Sequence, residues 1–153
     1  MTPAAFKSKV STNSVAETQA LAARLAAKLL PGDIVALEGE LASGKTTFTQ
    51  GLTQYFSIDE YAASPTFTYM NEYHAENVTI LHIDAYRLKS GNELVEMGFW
   101  EYVENGAIAV IEWADIVADI LPPEIIRLQF RRDDAAQNRR HIIISSLRGL
   151  DLT

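Results

Sequence analysis

One short segment restricts the possible folds of this chain more than any other feature. Residues 39–46 read GELASGKT and satisfy the pattern G-x-x-x-x-G-K-[ST]. A continuous apolar run, residues 34–37, precedes the segment, and a helix is predicted over residues 45–56. A buried strand that turns through such a loop into a helix is the context in which this pattern binds phosphate. The sequence therefore predicts an α/β fold of the P-loop NTPase type.

The spacing within the motif has a chemical reason. Where the strand turns into the helix, successive backbone N–H groups point inward and bind an anion, and the helix dipole adds positive potential. Lys45 is expected to reach the β- and γ-phosphates of ATP, and the Thr46 hydroxyl to take a position on Mg²⁺. The predicted nucleotide contacts in this segment are Glu40, Leu41, Ala42, Ser43, Gly44, Lys45, Thr46 and Thr47.

Further apolar runs predict the remaining strands. Residues 78–83 and 107–111 are expected to form buried strands, and residues 125–130 and 141–145 a final pair joined by the polar loop 133–138. Because helices separate the first strands, the predicted architecture is a mostly parallel sheet with helices on both faces and a C-terminal antiparallel hairpin.

The predicted helices begin at recognisable caps. The capping-box pattern Ser-x-x-Glu occurs at residues 14–17 and again at residues 90–93. The first helix is expected to continue to the Pro-Gly pair at residues 31–32. Shorter helices are predicted over residues 99–103 and 116–121. Residues 57–74 are predicted to be irregular.

Composition narrows the classes of function. The chain has 153 residues without repeats or linker-like stretches, which predicts a single domain over residues 1–153. It contains no cysteine, so disulfides, thiol nucleophiles and cysteine-ligated zinc are excluded. No signal peptide and no apolar run of about 18 residues is found, so we expect a cytoplasmic protein without a membrane segment. The net charge of −7 disfavours direct binding of a polyanion, so a role related to RNA is expected to pass through a partner protein.

Two acidic residues follow predicted strands. Asp84 ends the run 78–83, and Glu112 ends the run 107–111. Ligands of open α/β sheets lie beyond the carboxyl ends of the strands, so both side chains are expected to face the nucleotide. Asp84 is predicted to hold Mg²⁺ through water, while Glu112 either shares the ion or orients the attacking water. The alternative for each is a solvated acid at a strand end.

Other candidate residues carry weaker signals. Thr66, in the Ser-Pro-Thr segment 64–66, is predicted to sense the γ-phosphate, although a rigid turn explains the same residues. His82, in the middle of a strand, is predicted to be packed rather than catalytic. Trp113 is predicted to pack in the core or in the site wall. The arginines of residues 131–140 form either a solvated loop or a contact with nucleotide or partner.

Taken in order, several segments resemble the bacterial TsaE family, the ATPase of tRNA threonylcarbamoyladenosine synthesis. The resemblance extends from about Ser14 to the last hairpin. The segments that carry it are GELASGKTT at 39–47, SPTFT at 64–68, NEY at 71–73, HIDAYRL at 82–88, EL at 93–94 with MG at 97–98, and IEW at 111–113.

The resemblance implies slow hydrolysis of ATP to ADP and cooperation with the TsaB–TsaD pair, which transfers threonylcarbamoyl to tRNA. It also implies that the magnesium site consists of Thr46, Asp84 and Glu112. Nucleotide contacts are implied at Ser14, and at Asn138 or Arg139. The family usually has Gly-Ala where this chain has Ala42 and Ser43, so the loop is expected to accommodate a side chain at Ala42 in a restricted or strained backbone conformation. Ala85 and Ala114 also differ from the residues that are usual in the family, and both differences are expected to affect only side-chain packing.

The predicted activity is cleavage of ATP at the β–γ bond, slow alone and faster with the partner complex, because no internal arginine finger is evident. Two alternatives remain. One is a nucleotide-dependent binding switch with little catalytic role, and the other is a small P-loop kinase, which the absence of an arginine-rich lid disfavours. A GTPase is disfavoured because no [NT]-K-x-D sequence follows the loop.

Overall fold

The computed structural model describes residues 6–58, 70–150 and 152. Most of the described residues lie in strands or helices. The elements are β1 (Phe6–Thr12), α1 (Val15–Ala26), β2 (Ile34–Gly39), α2 (Lys45–Tyr55), β3 (Met70–His74), β4 (Thr79–Asp84), α3 (Gly91–Glu96), α4 (Phe99–Glu104), β5 (Ile108–Glu112), a 3₁₀ helix (Ala114–Ile120), β6 (Ile126–Arg132) and β7 (Arg140–Ser146).

The strands form one sheet in the order β1-β7-β6-β2-β5-β4-β3. β2 is parallel to both β5 and β6, and β4 is parallel to β5. The pairs β1–β7, β3–β4 and β6–β7 are antiparallel. Over the residues that the structure describes, the sheet is therefore mixed and not mostly parallel, because each side of its parallel centre is extended by antiparallel strands.

Two of these strands were not predicted. β1 precedes the first helix, and β3 lies in the segment that was predicted to be irregular. Both are at the edges of the sheet and carry mainly exposed or half-buried side chains, so they lack the apolar runs of central strands. In β3 only Tyr73 is buried. Pairing with β4 places this polar segment in the sheet, a tertiary contact that local sequence does not encode.

Alternate residues of the central strands face two hydrophobic clusters. In β2, Val35 and Leu37 pack in a cluster that contains Leu21 of α1 and Phe48 of α2. Ile34 and Ala36 belong to the other cluster, with side chains from α3, α4 and the 3₁₀ helix. Helices thus cover both faces of the central sheet, as expected for strands that are apolar throughout.

The start of α1 confirms the first predicted cap. The Glu17 N–H donates to Ser14 Oγ at 3.1 Å, and the Asn13 N–H donates to the Glu17 carboxylate. α1 ends at Ala26, before the predicted stop at Pro31.

The second predicted capping box is wrong. Ser90 precedes α3 but its side chain makes no capping hydrogen bond. The Gly91 N–H donates instead to Asp119 Oδ1 at 2.9 Å, so a side chain distant in sequence replaces the local cap. The helix predicted over residues 116–121 is a 3₁₀ helix that begins at Ala114.

Asp133 organises the turn between β6 and β7. Its Oδ1 accepts hydrogen bonds from the backbone N–H groups of Ala136 and Ala135, each at 2.8 Å. Its Oδ2 lies 2.7 Å from Nε2 of His141. The N–H of Ala136, the His141 ring and the N–H of Ala135 lower the pKa of Asp133 well below its usual value of 3.8.

This turn makes the stability of the fold depend on pH. Because the folded-state pKa of Asp133 is depressed, its contribution to stability is complete above the unfolded pKa and is lost as pH falls toward the folded value. We expect Asp133→Ala to lower the free energy of unfolding at neutral pH, and the difference from the wild type to shrink below about pH 4. Urea unfolding at several pH values measures this difference, with exposed Asp134→Ala as the control for loss of one charge. A difference that stays constant across the range would contradict the assignment.

Candidate functional site

A cavity of about 630 Å³ opens between the start of α1, the loop before α2, and the ends of β4 and β5. The turn that leads into β7 completes its rim. The cavity is lined by Ser14, Val15, Thr18, Leu41, Ala42, Ser43, Gly44, Lys45, Thr46, Thr47, Asp84, Tyr86, Glu112, Trp113, Asn138 and Arg140.

Most residues that the sequence analysis selected meet around this cavity. Glu40 and Arg139 do not line it: the Glu40 side chain is exposed, and Arg139 Nε donates to Asn13 Oδ1 at 2.9 Å. Thr66 lies outside the described residues. The selected residues that line the cavity are Ser14, Leu41, Ala42, Ser43, Gly44, Lys45, Thr46, Thr47, Asp84, Glu112 and Asn138.

Val15, Thr18 and Tyr86 line the cavity but were not predicted from the sequence to do so. Trp113 and Arg140 were considered, but no single role was chosen for either. Thr18 is four residues after Ser14 in the cap of α1, so helical spacing would have placed both on one side. Tyr86 follows Asp84 closely, and its N–H donates to Asp84 Oδ1 at 3.0 Å. Arg140 lines the cavity and Arg139 does not, while the nucleotide contact predicted at Asn138 or Arg139 stays a prediction.

The backbone of the loop explains its glycines. Gly39 has φ +148°, and a Cβ atom there would lie 2.6 Å from the Phe130 carbonyl oxygen, so a side chain is excluded. Gly44, with φ +113°, also adopts a conformation that L-residues rarely occupy. Ala42 has φ +60°, in the left-handed region. The expectation of a restricted or strained backbone at Ala42 is therefore confirmed.

This conformation predicts a stabilising substitution. Glycine adopts φ +60° without the steric cost that alanine meets, although it also raises the entropy of the unfolded chain. We expect Ala42→Gly to increase the free energy of unfolding by about 0.5–1 kcal/mol. Ala23→Gly, inside α1, is the control and should decrease it by about 1 kcal/mol. Urea unfolding of both variants tests this, and destabilisation by Ala42→Gly would contradict it.

Lys45 is buried at the base of the loop. Its Nζ donates to the backbone carbonyl oxygens of Gly39 at 2.5 Å and Glu40 at 2.8 Å. It lies 4.0 Å from the centre of the Trp113 ring, a cation–π distance. Burial lowers the pKa of Lys45, and nearby carboxylates, Glu112 first, oppose that shift. The ammonium group is thus held by carbonyl oxygens and a ring, and among the described residues it makes no direct ion pair.

Trp113 reaches this position through an unusual backbone conformation. It follows β5 directly and has φ +58°, which is rare for a residue with a side chain. Its ring also packs against Tyr86, with ring centres 5.0 Å apart. Left-handed residues other than glycine are concentrated at functional sites. The strained turn after β5 therefore contributes an aromatic wall to the cavity.

Glu112 is the centre of a buried hydrogen-bond network. The Thr46 hydroxyl donates to Glu112 Oε1 at 2.8 Å, and His82 Nε2 lies 2.6 Å from Oε2. Burial alone would raise the pKa of Glu112, but the hydrogen bond and charge of His82, with the bond from Thr46, lower it overall. Glu112 is therefore a carboxylate at neutral pH.

Asp84 lies beside Glu112 at the ends of adjacent parallel strands. Burial raises the pKa of Asp84, while the N–H of Tyr86 opposes that shift. Unlike Glu112, Asp84 is only half-buried. Its carboxylate is thus the more accessible of the two.

The donor set fits Mg²⁺. Thr46, Asp84 and Glu112 offer only oxygen atoms, which this hard cation prefers. Among the described residues no group of three or more His, Cys, Asp or Glu side chains has metal-binding geometry. Mg²⁺ is commonly bound by one or two carboxylates together with substrate phosphates. The residues present therefore fit an ion that arrives with a nucleotide.

Comparisons with known proteins identify the family. A sequence model described as "Threonylcarbamoyl adenosine biosynthesis protein TsaE" matches residues 12–142. This chain belongs to the TsaE family. The TsaE protein of Rickettsia conorii is 43% identical over 123 residues, which cover 80% of this chain and 70% of that protein. The TsaE protein of Bacillus subtilis is 35% identical over 131 residues, covering 86% of this chain and 80% of that protein. The resemblance to the TsaE family that the sequence indicated is confirmed.

The fold also matches that of a solved structure. The crystal structure of YdiB from Bacillus subtilis superposes with a TM-score of 0.79 at 29% sequence identity, covering 96% of this chain and 90% of that one. Both curated relatives are named tRNA threonylcarbamoyladenosine biosynthesis protein TsaE. The TsaE family takes part in that tRNA modification. In the part of this TsaE chain that the structure describes, no helix has the length and apolarity needed to span a bilayer.

Proposed function

We propose that this TsaE-family chain is a P-loop ATPase that acts in threonylcarbamoyladenosine synthesis. ATP with Mg²⁺ would occupy the 630 Å³ cavity, with its phosphates in the loop before α2. The observation that carries the proposal is the convergence of Lys45, Thr46, Asp84 and Glu112 at one end of that cavity. In this proposal the parallel strands of the mixed sheet are the P-loop NTPase core, with β6 and β7 as the C-terminal hairpin.

The phosphate contacts would come first from the loop. Its N–H groups at the start of α2 lie at the positive end of the helix dipole, which favours an anion. Lys45 Nζ is close to the carbonyl oxygens of Gly39 and Glu40 and would exchange part of this contact for phosphate oxygens. Burial lowers the pKa of Lys45, and the incoming negative charge of the phosphates would oppose that shift.

The metal would be held by the oxygen donors that meet at this end of the cavity. These are the Thr46 hydroxyl and the Asp84 carboxylate, supported by Glu112. When bound, Mg²⁺ supplies Lewis-acid neutralisation of the phosphate oxygens. Asp84 is the accessible carboxylate, and its position is fixed by the hydrogen bond from the Tyr86 N–H.

Hydrolysis would follow the usual stoichiometry. A water oxygen attacks the γ-phosphorus, the bond to the bridging β–γ oxygen breaks, and ADP and phosphate leave. Lys45 stabilises the charge on the transferring group. Arg140 lines the cavity, but its guanidinium donates to the Gln137 and Arg139 carbonyl oxygens and so serves the turn before β7. We therefore expect slow turnover by the protein alone.

Other lining residues of the cavity would contact the nucleoside. Ser14 and Asn138 offer polar groups, and Val15 and Leu41 expose apolar side chains, 62% and 78% of their surface. An apolar surface flanked by a few polar groups suits a purine base. In the complete pathway we propose that the protein acts with the TsaB–TsaD pair in the cytoplasm and contacts tRNA only through those partners, because its net charge is −7.

Measurement of ATP hydrolysis with and without TsaB–TsaD tests this function. We expect slow Mg²⁺-dependent release of phosphate by the protein alone and at least about tenfold faster release with the pair, since a missing charge-stabilising group supplied in trans has effects of this size or larger. Equal rates with and without the pair would contradict the partner role. Absence of both ATP binding and hydrolysis would contradict the proposed function itself.

A further inference from the structure

His82 makes a contact that the proposed hydrolysis does not by itself explain. It lies in β4 with none of its surface exposed, and Glu112 at the end of β5 is 2% exposed. The strands are parallel neighbours, in which Asp84 pairs with Glu112. This register places His82 Nε2 2.6 Å from Glu112 Oε2.

The direction of this hydrogen bond follows from the acceptor. Glu112 is a carboxylate and has no proton to donate, so His82 Nε2 carries the hydrogen. His82 Nδ1 is buried and has no hydrogen-bond partner within the described ranges 6–58, 70–150 and 152. Burial of a polar atom without a partner costs free energy. An imidazole used only to fill space would therefore be a poor choice compared with an apolar side chain.

The second oxygen of Glu112 completes a chain of hydrogen bonds. Thr46 Oγ1 donates to Glu112 Oε1 at 2.8 Å. A hydroxyl has one hydrogen and two lone pairs, so the hydrogen bond to Glu112 fixes the directions in which the lone pairs of the Thr46 oxygen point. A carboxylate held on both oxygens cannot rotate without breaking one of these bonds. The orientation of the Thr46 hydroxyl thus depends on His82 through Glu112.

We propose that His82 is a positioning residue for the magnesium site. By holding Glu112 Oε2, it directs Oε1 to the Thr46 hydroxyl and so presents the lone pairs of Thr46 to the Mg²⁺ that enters with ATP. Thr46 is then the ligand of the metal, and Glu112 acts on the metal indirectly by accepting the hydrogen bond of Thr46. Such outer partners orient ligands and increase their basicity. The inference rests on the proposed function, since it requires ATP and Mg²⁺ in the cavity.

Two substitutions separate positioning from packing. His82→Gln places an amide N–H near the position of Nε2, whereas His82→Leu fills similar space without a donor. The dissociation constant of ATP is measured for each variant in Mg²⁺ and, separately, in EDTA. We expect His82→Leu to weaken binding about 10–100-fold in Mg²⁺ and by less than about twofold in EDTA, because loss of an outer partner acts on the metal. His82→Gln is expected to remain within about threefold of the wild type in both conditions.

Each outcome decides the question. If His82→Leu binds ATP–Mg²⁺ like the wild type, or loses as much affinity in EDTA as in Mg²⁺, His82 only packs and the inference is wrong. Should the Leu variant fail to fold in a thermal melt, His82→Asn replaces it, because its shorter amide does not reach Glu112 and the same contrast with His82→Gln is expected. A wild type that binds no ATP in either condition would overturn the proposed function, and this role with it.

Discussion

Lys45→Ala is expected to reduce the affinity for ATP about 100-fold or more and to abolish measurable hydrolysis. Lys45 is buried at the base of the loop, and its Nζ has no carboxylate in direct contact among the described residues that would already neutralise it. Hydrogen bonds to a charged group contribute about 1.5–3 kcal/mol each, and loss of about 3 kcal/mol corresponds to about two orders of magnitude in affinity. Calorimetric titration of ATP in Mg²⁺ measures the loss.

The fold should survive this substitution. Removal of a buried ammonium whose pKa burial already lowers relieves a desolvation cost, so we expect the unfolding temperature to stay close to that of the wild type. Lys28→Ala, at an exposed position after α1, is the matched control and should bind ATP normally. Unchanged affinity in Lys45→Ala would contradict the assignment of the loop as the phosphate site.

Glu112→Gln is expected to lower the rate of hydrolysis at saturating ATP–Mg²⁺ about 100-fold and to weaken, but not abolish, the binding of ATP. Glutamine has the shape of glutamate but only one acceptor oxygen, whereas both Thr46 and His82 donate to this side chain. If the amide oxygen accepts from His82, the amide N–H₂ faces Thr46 and reverses the direction of that hydrogen bond. Loss of a pre-organised group at a reaction centre commonly costs two to three orders of magnitude, on the order of 100–1,000-fold.

A single-turnover assay and a binding titration of the same sample separate the effect on the rate of hydrolysis from the effect on the binding of ATP. Glu104→Gln, at the exposed end of α4, is the control for loss of one negative charge. If Glu112→Gln hydrolyses ATP at the wild-type rate, Glu112 has no part in the chemistry. If it supports repeated tRNA modification without hydrolysis, the protein is a nucleotide-dependent switch instead of an ATPase.

The sequence predicted the features of the site that depend on neighbouring residues. The segment 39–46 contains its own glycines, lysine and threonine, and the apolar run before it identified β2. The end of a strand is also a local feature, so Asp84 and Glu112 were found without knowledge of the sheet. Their pairing in register explains why both reach the cavity. Ser14 was predicted as a helix cap from its local signature, whereas its place in the site came from the resemblance to the TsaE family.

The remaining features depend on contacts between distant segments. His82 was predicted to be packed, and it is fully buried, but its bond to Glu112 requires that β4 and β5 be parallel neighbours in one particular register. The order of the strands in the sheet is not encoded in any single apolar run of the sequence. β1 was missed because an edge strand with polar side chains lacks the continuous apolar pattern of a central strand. Trp113 reaches Lys45 through a left-handed backbone that its residue type does not suggest.

The central claim is that this loop binds the triphosphate of ATP, and comparison of ATP with adenosine tests it most directly. Calorimetric titration of the wild type in Mg²⁺ is expected to show saturable one-to-one binding of ATP and affinity for adenosine at least about 1,000-fold weaker, since charge-assisted phosphate contacts would supply most of the binding energy. Adenosine that binds as tightly as ATP, or ATP that does not bind at all, would contradict the account.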